Sequence, residues 1–97
     1  MKDKEYYFGI KRNCRDTFAE LHIVPIKHWE KHKSKYPGYI PDDELADKLE
    51  DNGFIECMEN VYEFDTKTMS IEDAINKATS LAKITHNKEF EEFINDN

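Results

Sequence analysis

The chain has 97 residues, a formal charge of −7, 36% charged residues and 38% hydrophobic ones. That length fits one α+β domain over 1–97 and leaves little room for two, while one Trp, five Tyr and six Phe are too many anchors for a disordered chain. No apolar run approaches the roughly 20 residues of a membrane span, and Met1-Lys2-Asp3-Lys4 leads into no signal-peptide core, so a cytoplasmic protein with no membrane contact is expected.

Residues 5–11 alternate Tyr6, Phe8 and Ile10 against Tyr7, Gly9 and Lys11, the period of a half-buried strand. Asn13-Cys14-Arg15-Asp16 has turn chemistry, and residues 17–24 alternate again, so the two runs predict a β-hairpin. Pro25 suits the first turn of a helix that places Ile26, Trp29 and Tyr36 on one face and stops at Pro37-Gly38. After the link Tyr39-Ile40, Pro41-Asp42-Asp43-Glu44 puts three carboxylates at the positive end of a second helix. Leu45, Ala46 and Leu49 face inward there, Asn52-Gly53 supplies the C-cap, and Phe54 closes back on Leu49.

Residues 54–65, FIECMENVYEFD, are rich in aromatic and β-branched side chains and follow a glycine, which predicts the central strand of the sheet. One face would hold Phe54, Glu56, Met58, Asn60, Tyr62 and Phe64, and the other Ile55, Cys57, Glu59, Val61, Glu63 and Asp65. The apolar side changes along the run, which calls for a bulge near Glu59-Asn60. A helical period over Phe54, Met58, Val61 and Tyr62 is the rival reading.

Ser70-Ile71-Glu72-Asp73 forms a capping box, and Ile71, Ala74, Ile75, Ala78, Leu81 and Ala82 make a helical stripe over 71–84, with Ile75 and Leu81 expected in the core. Thr85-His86-Asn87 breaks that helix, and Asn87 caps a last one carrying Phe90, Phe93 and Ile94. The expected fold is therefore α+β: a small three-stranded, mostly antiparallel sheet with about four helices, in the order β-β-α-α-β-α-α.

Candidate chemistry is sparse. His28 and His32 share a helix face at metal-ligand spacing, but Lys27, Lys31 and Lys35 surround them and no third ligand is near in sequence. The intervening Glu30 is not placed as in a zinc-protease helix. Cys14 and Cys57 show neither metal nor redox spacing and read as free thiols, Cys14 at a hairpin tip beside Arg12 and Arg15. No metal, cofactor or catalytic residue is expected.

Charge is the more informative signal. Residues 1–36 hold nine Lys/Arg against five Asp/Glu, and residues 37–97 hold five against sixteen, so +4 and −11 give the −7 of the whole. The expected function is that of a non-enzymatic, small acidic binding protein of inhibitor, immunity or adaptor type, such as phages and mobile elements carry. Its partner would be a larger protein, for instance a nucleic-acid enzyme with a basic groove. The partner-binding candidates are Asp42, Asp43, Asp47, Glu50 and Asp51 on the second helix, with Glu56, Glu59 and Glu63 on the following strand. The alternative is a single-stranded nucleic-acid-binding module using Lys11, Arg12, Arg15, Lys31 and Lys35 among Tyr6, Tyr7, Trp29 and Tyr36. The net charge opposes that alternative through long-range repulsion of a polyanion. A small metal-dependent or acid–base enzyme is the third reading.

Overall fold

The structure, a computed structural model, describes residues 5–13, 17–35 and 43–96. Strands β1 (Glu5–Arg12) and β2 (Phe18–Pro25) form the expected hairpin, followed by helix α1 (Ile26–Lys31) and a short 3-10 turn (Lys33–Lys35). Then come α2 (Asp43–Asp51), β3 (Ile55–Met58), β4 (Val61–Asp65), α3 (Ile71–Leu81), β5 (Lys83–His86) and α4 (Lys88–Asp96). The fold is α+β, as expected, but the sheet has five strands in the order β3-β4-β2-β1-β5. All pairings are antiparallel except that of β5 with β1, which is parallel.

Two expectations are corrected here. Residues 54–65 are not one central strand but a hairpin. Glu59-Asn60 turns the chain, Asn60 has φ 63°, and β3 becomes the outermost strand. Asn tolerates the left-handed region better than most residues, so it can reverse the chain where a glycine would be expected. The bulge exists, but it lies between Glu56 and Met58. The second correction is β5: residues 83–86, expected to be helix end and break, pair instead with Glu5–Phe8. Parallel pairing with β1 overrides the weak local preference of a four-residue segment.

The local end signals act as expected. Gly53, at φ 97°, ends α2 in a Schellman arrangement: Gly53 N–H donates to Glu50 O at 3.2 Å and Phe54 N–H to Leu49 O at 3.1 Å. Ser70 Oγ accepts from Asp73 N–H at 3.0 Å at the start of α3, and Asn87 Oδ1 accepts from Phe90 N–H at 2.8 Å at the start of α4.

The sheet separates two apolar clusters. On the first face Tyr6, Phe8, Leu21, Ile23, Tyr62 and Phe64 meet Leu45, Leu49 and Phe54 from α2 and its C-cap, and Ala74 and Ala78 from α3. The fully buried positions of α3 are these two alanines; Ile75 and Leu81 are half-buried and pack at the margin of the cluster, so neither is the core anchor that the stripe suggested. On the second face Trp29 of α1 and Phe90 and Ile94 of α4 close over Val24, with Tyr7 and Phe93 at the margin. The Trp29 ring meets Phe90 and Phe93 edge-on, each at 5.1 Å between centroids.

Candidate functional site

The described acidic residues singled out in the sequence lie on α2, on β3 and its turn, and on β4. Asp43, Asp47, Glu50 and Asp51 are exposed on α2, which touches β3 and leads into it through the Schellman turn. Glu56 and Glu59 are exposed on β3 and its turn, and Glu63 is half-buried on β4. Asp42 lies outside the described residues. Every side chain of β3 is exposed, including Ile55 at 60% and Met58 at 49%, which are the large apolar side chains most open to solvent among the described residues.

The basic residues are not gathered in the same way. Lys11 and Arg12 lie at the turn end of the β1–β2 hairpin, where Arg12 faces Ala19, whereas α1 leaves the far end, where Tyr6 faces Pro25. Six strand steps of about 3.4 Å put roughly 20 Å between the two groups. Lys31 and Lys35 are exposed at the α1 end, but their neighbour Lys33 pairs with Glu89 of α4 at 3.2 Å. Tyr6 and Trp29 are buried, and half-buried Tyr7 donates its hydroxyl to Glu30 at 3.1 Å, so these rings make no open stacking platform. Arg15, Cys14 and Tyr36 lie outside the described residues. The His28 and His32 rings lie 4.9 Å apart between centroids, tilted by 41°, without a third ligand to complete a metal site among the described residues.

A further group emerges only from the register. Lys11, Glu20, Glu63 and Ile55 are successive partners across β1, β2, β4 and β3, so they form one row on the second face. Gly9, His22, Val61 and Met58 form the next row. The bulge inserts Cys57 between them, and the thiol and the Glu20 and Glu63 carboxylates bring one donor atom each within 4.8 Å of one another. His22 Nε2 lies 2.9 Å from Glu20 Oε1, and Asn13 Nδ2 donates to Glu63 Oε2 at 3.4 Å.

The electrostatics of this group follow from its placement. Burial pushes the His22 imidazole below the usual histidine range, against the pull of the Glu20 carboxylate that its Nε2 faces. Desolvation, reinforced by Glu63, Glu20 and Glu56, pushes the Cys57 thiol up. Glu20 and Glu63 face each other directly, an unfavourable like-charge pair. Further along the strands Thr17 Oγ1 donates to Asp65 Oδ1 at 2.6 Å and, with the Lys67 N–H, holds that carboxyl below its ordinary value.

Sequence reading placed Cys57 and Glu63 on one face but could not add Glu20 or His22, which lie 37 and 35 residues before Cys57. Comparison with protein-family models, with curated proteins and with solved structures finds no match for this chain.

Proposed function

We propose that this chain is a non-enzymatic binding protein of inhibitor, immunity or adaptor type that covers a Lys/Arg-rich surface of a larger protein with its β3 edge. The observation that carries this reading is the exposure of Ile55 and Met58 on an outermost strand bordered by carboxylates. An apolar centre inside a charged rim is the usual anatomy of a protein interface. Asp43, Asp47, Glu50, Asp51, Glu56 and Glu59 would form that rim on the α2 side and at the turn, and Glu63 on the opposite face.

The mode of contact follows from the strand itself. β3 has four residues and a bulge, features that discourage addition of another strand. Recognition would therefore use side chains. A second copy would bring like carboxylates together, whereas a basic surface would be attracted and steered by them.

The test is a titration against a partner first identified by cross-linking. Asp47→Lys, Glu50→Lys and Asp51→Lys together should slow association with little effect on the melt, and added salt should slow the wild type in the same way. Ile55→Ala with Met58→Ala should speed dissociation. Binding unchanged by both variant sets would overturn the proposal. So would tight single-stranded oligonucleotide binding that weakens on neutralising Lys31 and Lys35 and strengthens on the acidic reversal.

A further inference from the structure

We propose that Glu20, Cys57 and Glu63 bind a transition-metal dication, zinc by preference, on the second face of the sheet. The three donors come from β2, β3 and β4, adjacent strands whose register is fixed by backbone pairing, and lie within 4.8 Å of one another. A tetrahedral zinc ion with bonds of about 2.0–2.3 Å needs its ligands roughly 3.4 Å apart. The donors must draw in by about an ångström or so, a distance that small side-chain rotations cover.

The donor set selects the ion. Two carboxylates alone would suit magnesium or calcium, but a thiolate is a soft ligand that favours zinc, cobalt or copper. Three protein ligands leave a fourth position for water, and Cys57 is exposed, so an ion can enter from solvent. Binding would expel the thiol proton and replace the Glu20–Glu63 repulsion with shared attraction to the ion.

The surroundings support the same assignment. His22 Nε2 approaches Glu20 Oε1 at 2.9 Å, which leaves Oε2 for the metal and orients the carboxylate as outer hydrogen bonds do in metal sites. Asn13 holds Glu63 Oε2 in the same way. The site shares Glu63 and, through Cys57, strand β3 with the partner-binding surface proposed above, but its test needs no partner.

Cobalt(II) titrated into the purified, reduced chain should give a near-ultraviolet thiolate-to-cobalt absorption at one equivalent, displaced by zinc and not by magnesium. Cys14→Ser should keep the band, and Cys57→Ser should lose it while retaining the wild-type circular dichroism spectrum. Glu20→Gln and Glu63→Gln should each weaken binding, and His22→Gln should weaken it by about 10–100-fold. A wild-type chain without the band, or a band that survives Cys57→Ser, would overturn the assignment.

Discussion

Gly9 of β1 lies directly beneath Ile94 of α4: a Cβ built on Gly9 would come 2.7 Å from Ile94 Cδ1 and 3.3 Å from the Cα of Glu91. The missing side chain lets the helix settle onto the strand, and the two elements share the second apolar cluster with Trp29 and Phe90. Ile94 Cδ1 is the end of a flexible side chain and can rotate away, but the Glu91 backbone cannot. Gly9→Ala should therefore cost about 1 kcal/mol and Gly9→Val about 3 kcal/mol, the span usual for overpacking. Urea midpoints would measure this, and a Gly9→Val chain as stable as wild type would show that α4 does not rest on β1.

Trp29 is the largest buried side chain, and α1 and α4 close around it. Trp29→Ala should cost about 3–5 kcal/mol, a large share of the roughly 5–15 kcal/mol available to a small domain. Among the described residues its Nε1 has no hydrogen-bond partner, so Trp29→Phe gives up ring area without breaking a bond at that atom there. The phenylalanine variant should lie well above the alanine one in a thermal melt. Equal losses for the two would show that buried ring area is not what Trp29 contributes.

The Thr17–Asp65 bond ties β2 to the end of β4 and should make stability depend on acid. Asp65 has a folded pKa below its ordinary value of 3.8, chiefly because Thr17 donates to the ionised form. Its contribution is thus present above the unfolded pKa and lost as pH falls through the lower folded value. Thr17→Val should destabilise the protein at pH 7, and the gap to wild type should narrow below pH 3.8. Denaturation midpoints at several pH values would test the sign; a gap that stays constant or widens in acid would refute it.

Much of this fold is legible in sequence where the determinants are local. The β1–β2 alternation, the Asn52-Gly53 stop and the Ser70 and Asn87 caps each act within a few residues, and all appear in the structure. What escaped reading depends on distant pairing. Lys83–His86 becomes a strand because β1 offers an edge, and Phe54–Asp65 divides because Asn60 accepts a left-handed backbone. The Glu20, Cys57 and Glu63 group is harder still, since it requires the β2–β4 register and the β3 bulge together. The acidic character of the α2–β3 side could be read directly, because those carboxylates are close in sequence.

The parallel pairing of β1 with β5 also sets an order of events during synthesis. β1 and β2 can form their hairpin as soon as both have left the ribosome, but the other edge of β1 is completed by residues 83–86 and its second face by α4. Those segments emerge last of the described elements. At about 5–20 residues per second, several seconds separate the first strand from its final neighbours. In that interval the nascent chain presents an open strand edge beside Tyr7 and Val24, so a chaperone of nascent chains would have most to shield at the β1–β2 hairpin.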